Sequence, residues 1–301
     1  MFVITGATGN TGKVVAERLL KEGQKVRVIG RNAERLQALA NQGAEPFVCN
    51  VTDTKALTAA FTGAKAVYAM IPPDVTAADF LVYQNSVSDS LATAIANARV
   101  KHAVVLSSFG AEKSEKTGPV VGLHMMEKKL NGIDGLNVLH LRAGYFMENT
   151  FAQIGTINAI GKAAGPLRGD RQIPMIATRD IGAAAADALL GLAFTGQQTR
   201  ELLGQRDLSM DEATRIIGTA IGKPDLSYAH LPNDQVRPFL IQMGMSANGA
   251  DVILELADAI NSGHIHALEQ RSASNTTPTS YETFVKEEFV PRVLQTRNTG
   301  T

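Results

Sequence analysis

The first half of the chain alternates short apolar runs with longer stretches of helical periodicity, the pattern of strand–helix–strand units that stack into a parallel sheet. Six apolar runs read as strands: Phe2–Thr5, Lys25–Gly30, Glu45–Val48, Ala66–Met70, His102–Ser107 and Asn137–Leu141. Each is short and bounded by Gly, Asp, Pro or Asn, as strands covered on both faces are. The periodicity predicts helices at Thr11–Glu22, Ala33–Gln42, Thr54–Phe61, Tyr83–Ala98 and Val121–Asn131. In the first of these, Val14, Val15, Arg18 and Leu19 fall at helical spacing, and the pattern stops before Gly23, a residue suited to a C-cap. The order up to Leu141 is a regular βα repeat. It predicts an α/β fold, a doubly wound parallel Rossmann sheet with ligands at the carboxyl ends of its strands.

After Arg142 the regularity fades. Helical patterns around Asp180–Ala193, Met210–Gly222, Asp234–Met243 and Gly249–Gly263 alternate with short strands and Gly or Pro breaks. Arg271–Ser280 reads as a surface loop before a last helix at Tyr281–Phe289, and the tail Arg297–Thr301 as frayed. The expected organisation is an NAD(P)-binding Rossmann domain over residues 1–150. A smaller mixed α/β C-terminal lobe over 151–301 binds substrate, with some segments free to return to the sheet. At 301 residues, a second lobe is expected where a single core stops growing.

The strongest local signal is Thr5-Gly6-Ala7-Thr8-Gly9-Asn10-Thr11-Gly12-Lys13, which follows a strand and opens a helix. In that context the glycine spacing is a dinucleotide-binding loop. Gly6 allows the turn off the strand, Gly9 a close approach of backbone to pyrophosphate, and Gly12 the packing of helix on sheet. Thr8, Asn10 and Thr11 complete the loop, whose helix N-terminus favours an anion. No Lys-Ser or Lys-Thr closes it as a nucleoside-triphosphate loop would. Where NAD-preferring domains place a carboxylate at the end of the second strand, this chain has Gly30 and Arg31, a guanidinium suited to a 2′-phosphate. NADP(H) is therefore the preferred cofactor, with NAD(H) left open. After the third strand, Asn50, Val51 and Asp53 are placed to flank adenine, and Asp53 is equally placed to cap the next helix.

Composition narrows the function classes. Lys+Arg and Asp+Glu are equal at 29 each, with 45% hydrophobic and 19% charged residues, so nothing favours nucleic acid or an anionic membrane. The lone Cys49 sits in an apolar run as a small buried hydrophobe. Met1 runs at once into Phe2-Val3-Ile4 with no basic segment or signal core, and no apolar stretch is long enough to span a bilayer, so a cytoplasmic protein is expected. The histidines are scattered without metal-ligand spacing, so no metal is expected. Nothing separates a monomer from a homodimer.

The opening TGATGNTG, Arg31, Asn50-Val51-Thr52-Asp53, Phe61-Thr62-Gly63-Ala64, Val104–Gly110 and Leu141–Asn149 together resemble the NmrA-like group of atypical short-chain dehydrogenase/reductases. In the second half, Thr178–Gly182, Glu201–Gly204 and Leu208–Glu212 extend the resemblance to essentially the whole chain. It implies NADP(H) preference and a small C-terminal lobe closing over the nicotinamide. It also implies reduction of quinones or dyes, where charge spreads over an extended π-system and solvent can supply the proton.

Ordinary short-chain reductases use a serine with a Tyr-x-x-x-Lys helix, the lysine lowering the tyrosine pKa. Ser107 and Ser108 are the serine candidates, with Ser107 placed beside the cofactor together with Met70, Ile71 and Pro72. No Tyr-x-x-x-Lys exists. The helix instead carries His124 and Lys128 one turn apart, the candidate catalytic pair, although a register set on Glu127-x-x-Leu130 takes them off the tyrosine and lysine positions. Phe109, Gly110, Tyr145, Phe146 and Met147, at strand ends, are the candidate substrate contacts, with Pro73 nearby. The expected function is an NADPH-dependent reductase of a small-molecule, quinone-like or other planar electron-poor acceptor. The alternative is a non-catalytic NADP(H)-sensing regulator.

Overall fold

A computed structural model describes residues 1–298. The expected strands form as β1 (Phe2–Ile4), β2 (Val26–Gly30), β3 (Glu45–Val48), β4 (Ala66–Ala69), β5 (His102–Ser108) and β6 (Asn137–Ala143). Between them run α1 (Asn10–Lys21), α2 (Ala33–Ala40), α3 (Thr54–Phe61), α4 (Phe80–Asn97) and α5 (Val120–Asn131). Helix α4 starts three residues before the position set by periodicity, because the Asp79 carboxylate caps it by accepting from the Val82 N–H at 3.0 Å.

Beyond β6 the chain makes β7 (Tyr145–Phe146), α6 (Gln153–Ile160), β8 (Ala163–Gly165), β9 (Ile173–Ile176), α7 (Thr178–Gly191) and β10 (Gln197–Leu202). Strand β10 pairs in parallel with β6 and completes a seven-stranded sheet in the order β10-β6-β5-β4-β1-β2-β3. Helix α7 lies on that sheet against α1. Its Ile181, Ala185, Ala186 and Leu189 join Phe2, Ile4, Val15 and Leu19 in one core. The approach is close enough that a Cβ on Gly182 would lie 2.6 Å from Val14. The helix expected at Asp180–Ala193 thus belongs to the Rossmann layer, not to the second lobe.

The lobe proper is built from β7 to β9 with β11 (Asp207–Leu208), α8 (Met210–Ala220), β12 (Tyr228–His230), α9 (Asn233–Gln242) and α10 (Ala247–Ser262). It adds α11 (Tyr281–Phe284), a π-helical turn and α12 (Val290–Asn298). These elements pack around a separate core that includes Met147, Met175, Ile217, Tyr281 and Phe289. The Arg271–Ser280 segment is tied down: Arg271 donates to the Leu203 and Gly204 carbonyls, and Thr279 donates twice to Asp180. Of the tail expected to fray, Arg297 and Asn298 continue α12, and residues 299–301 lie outside the described residues. Among the described residues, no helix is long and apolar enough to cross a membrane.

The strand order reverses beside β1, which pairs with β4 on one side and β2 on the other. That switch point opens a crevice at the carboxyl ends of β1 and β4, where Gly6 and Met70 stand.

Candidate functional site

Gly6 leaves β1 with φ +60°, and its carbonyl accepts from the Gly9 N–H at 2.9 Å. A Cβ on Gly12 would lie 2.4 Å from the Gly6 carbonyl oxygen, so only glycine lets α1 begin directly behind the turn. The first backbone bond of the helix runs from Lys13 N–H to Gly9 O, 3.1 Å, leaving the N–H groups of Asn10, Thr11 and Gly12 at the crevice without helical partners. Two buried side chains hold this geometry. Thr5 Oγ1 donates to the Tyr68 carbonyl and accepts from the Met70 N–H, both at 3.1 Å. The Tyr68 hydroxyl donates to Thr11 Oγ1 at 2.9 Å, and burial pushes its pKa well above the ordinary phenol range, keeping it a donor. Neither residue stood out in the sequence, where each reads as part of an apolar strand.

A cavity of about 300 Å³ runs from this loop across the ends of β2 and β3. Gly6, Thr8, Gly9, Arg31, Asn50, Val51, Met70 and Pro72 line it, as the sequence suggested. Arg35 lines it too, one turn into α2, whose N-cap Asn32 accepts from the Arg35 N–H. Sequence reasoning missed Arg35, which reads as an ordinary charged residue in the first turn of α2. Neither arginine forms a salt bridge among those of the described residues. Asp74 faces Arg31; the Thr76 hydroxyl, and secondarily Arg31, hold its carboxyl below the usual range.

Two expectations change here. Asp53 does not line the cavity: its carboxylate caps α3 by accepting from the Ala56 N–H at 3.0 Å. Cys49 is half-buried and lines the cavity wall, with its thiol pushed up to about 11 by burial and by Asp53, so it stays protonated.

A second cavity, about 280 Å³, shares Met70 and Pro73 with the first. Ile71, Ser107, Phe109, Tyr145 and Phe146 line it, joined by Gln84, Leu123, Asn149 and Ile253. No Asp, Glu, Lys or Arg contributes to its wall. Ile71 and Ser107, grouped with the cofactor by sequence, thus line the second cavity and not the first. Gln84 is buried, and its Oε1 has no hydrogen-bond partner. Burial pushes the Tyr145 hydroxyl up to about 12, against the opposing effect of a hydrogen bond with Asn149.

Helix α5 turns Leu123 and Glu127, not His124 and Lys128, toward the sheet. Leu123 lines the cavity, and Glu127 lies just behind it. The Glu127 carboxylate accepts from Ser107 Oγ at 2.5 Å and from Arg142 Nε and Nη2 at 3.0 and 2.7 Å. The pair is nearly sealed, with side-chain exposures of 7% for Glu127 and 12% for Arg142, and Glu112 adds a second carboxylate 3.5 Å from Arg142. The Ser107 proton is thereby committed away from the cavity.

His124 instead bonds the Ala111 carbonyl through Nδ1 at 2.9 Å, and Lys128 is exposed; neither lines the cavity. The pair expected to be catalytic is displaced because the register is set by burial of Leu123, Glu127 and Leu130. Two proposed substrate contacts move as well. Gly110 sits under Ile265, where a Cβ would lie 2.8 Å from that side chain, and Met147 is 1% exposed in the core of the lobe.

The chain is 29% identical over 241 residues to a (4-alkanoyl-5-oxo-2,5-dihydrofuran-3-yl)methyl phosphate reductase of Streptomyces griseus, covering 80% of each chain. It is 26% identical over 260 residues to quinone oxidoreductase 2 of Escherichia coli, covering 85% of this chain and 86% of that one. A solved structure of an NADPH-dependent quinone oxidoreductase from that bacterium, complexed with NADPH, matches with a TM-score of 0.81 at 24% identity, over 96% of this chain and 100% of that one. NmrA, a negative transcriptional regulator solved in complex with NADP, matches with a TM-score of 0.69 at 15% identity, over 98% and 97%. The model of the NmrA-like family matches residues 1–290, and the chain belongs to that family.

Proposed function

We propose that this protein is an NADPH-dependent reductase of a planar, uncharged, electron-poor acceptor of the quinone type. The observation that carries this reading is the adjacency of two cavities that share Met70 and Pro73: one presents Arg31 and Arg35, and the other has no charged wall residue. The residues fit a dinucleotide phosphate. Gly6 and Gly12 form a cradle that a Cβ would fill, three N–H groups of α1 face the crevice, and the Arg31 and Arg35 guanidinium groups suit a 2′-phosphate. Gly6, Thr8, Gly9 and the start of α1 would hold the pyrophosphate. Bound NADPH supplies the hydride.

The chain's own part in the chemistry is positioning. Phe109 and Phe146 offer ring faces and edges to a flat acceptor, and Leu123 and Ile71 exclude water around it. Tyr145, neutral across the physiological range, is a hydrogen-bond donor for an acceptor oxygen, and Asn149 is a second polar side chain in the wall. With the Ser107 proton held by Glu127, no strong acid faces the chamber, so solvent delivers the proton that joins the hydride in forming the hydroquinone. The Streptomyces relative acts on a phosphate ester; the uncharged wall here favours an acceptor without a phosphate.

The test is NADPH oxidation against a panel of quinones and cationic dyes. Turnover with a planar acceptor is the expected result. NADPH binding without turnover of any acceptor overturns the reading in favour of a dinucleotide sensor. The Leu123 and Glu127 pair, standing where a tyrosine and lysine would work, is the one observation that favours that second reading.

A further inference from the structure

A third cavity, about 290 Å³, lies in the second lobe and abuts the acceptor chamber. The two share Tyr145, Asn149, Ile253, Leu256 and Ile260, so β7 and α10 form a common partition. On its far side the cavity is lined by Leu167, Met210, Leu240 and Met245, and it too has no Asp, Glu, Lys or Arg in its wall. The Tyr228 hydroxyl, its one further phenol, already donates to the Leu167 carbonyl at 2.9 Å.

One group in this wall is out of place in a packing void. Gln153, 4% exposed, has its Oε1 buried with no hydrogen-bond partner. A buried unsatisfied amide is costly, and Gln153 is a hydrogen-bonding side chain kept among the apolar residues that line this chamber. Gln84 stands in the same condition in the acceptor chamber. Each chamber therefore has apolar walls with one glutamine among its lining residues, and the two chambers adjoin at Tyr145.

We infer that the two chambers form one binding site for an elongated neutral acceptor, its ring beside Phe109 and Tyr145 and an aliphatic tail in the chamber lined by Met210, Leu240 and Met245. The inference rests on the reductase reading for the ring and adds the tail. A flexible thioether-rich, leucine-rich wall suits a chain of methylenes better than a second flat ring, because methionine adapts its shape to what it packs against. The absence of charge excludes a carboxylate or phosphate at the tail's end.

The experiment compares quinones with the same ring and methyl, butyl or octyl substituents. Steady-state NADPH oxidation and calorimetric binding to the full-length protein saturated with NADP+ are both measured. KM and Kd should fall with tail length, by up to about fourfold per methylene while the chamber fills. Filling the chamber from its rim with Ala152→Trp, or from β8 with Ala164→Leu should either variant misfold, should bring the octyl-to-methyl ratio of kcat/KM toward unity. Turnover that does not depend on tail length overturns the tail chamber and leaves the reductase standing. Tighter calorimetric binding of the octyl quinone with no turnover of any quinone does the reverse.

Discussion

The adenosine end of the furrow is made by one continuous loop and the ends of two neighbouring strands, whereas the acceptor end gathers residues as far apart as Met70, Gln84, Phe109, Tyr145 and Ile260. The first carries Arg31, Arg35 and Asp74 and is shaped chiefly by backbone; the second has no charged wall residue and is shaped by side chains. The difference follows from what each end must recognise. A pyrophosphate is met by N–H groups whose positions come with the helix start, so a short run of glycines is enough. A flat neutral acceptor offers few hydrogen-bonding atoms, so its recognition depends on surfaces brought together by the whole fold. Between the two ends stands the Ser107–Glu127–Arg142 cluster, whose Ser107 lines the chamber while Glu127 and Arg142 hold it from behind.

That cluster gives the largest expected effect. Glu127→Leu leaves the Arg142 guanidinium buried beside Glu112 alone, and loss of one partner from a nearly sealed pair costs about 3–5 kcal/mol. Chemical denaturation should show a lowered midpoint with an unchanged slope. Glu127→Gln, which keeps one acceptor for Ser107 or Arg142, should lose less. NADPH affinity in the folded fraction should stay close to wild type, because the loop is held separately by Thr5 and Tyr68. A loss of NADPH binding as large as the loss of stability would show that the two ends are not independent.

The adenosine end is tested by Arg31→Ala. It should weaken NADPH relative to NADH by about 1–3 kcal/mol, the worth of a charge-assisted hydrogen bond, while kcat at saturating NADPH and the ranking of acceptors stay unchanged. Arg35→Ala should act in the same direction, since both cations line the same cavity. Equal weakening of both cofactors removes the 2′-phosphate assignment from Arg31. A changed acceptor ranking would instead extend its influence to the far chamber.

The same contrast explains what the sequence could disclose. All six expected strands and the glycine loop were readable because they are local: apolar runs bounded by breakers, and a spacing whose backbone geometry is set within seven residues. Which segments after residue 150 return to the sheet was not readable, because a returning segment has the same local pattern as one that stays in a separate lobe; only the pairing of β10 with β6 and the packing of α7 on α1 distinguish them. Asp53 read equally as a cap and as an adenine contact, two compatible roles, and the structure shows the cap because the Ala56 N–H lies within its reach. On α5, a titratable pair one turn apart drew attention to His124 and Lys128. The helix is rotated by what it buries, and Gly122 lets it settle closely on Gln84. Gln84, Asn149 and Ile253 reach the chamber from helices whose sequence carries no mark of a site.

The smallest expected effect is also the most discriminating for the acceptor end. His124→Ala removes a side chain that bonds the Ala111 carbonyl and does not line the chamber, so kcat should change by less than about twofold. The lost hydrogen bond should appear instead as about 0.5–1.5 kcal/mol of stability. The pH profile provides the second half of the argument. Tyr145 is the ionisable side chain in the chamber wall, and its hydroxyl, pushed up to about 12, keeps its proton throughout the neutral range. Turnover between neutral pH and the onset of alkaline unfolding should therefore show no sigmoid step belonging to an enzymic acid. A step near neutrality that vanishes in His124→Ala would return the proton to His124 and require α5 to rotate on binding the acceptor, so that the two ends of the furrow would differ in mobility as well as in composition.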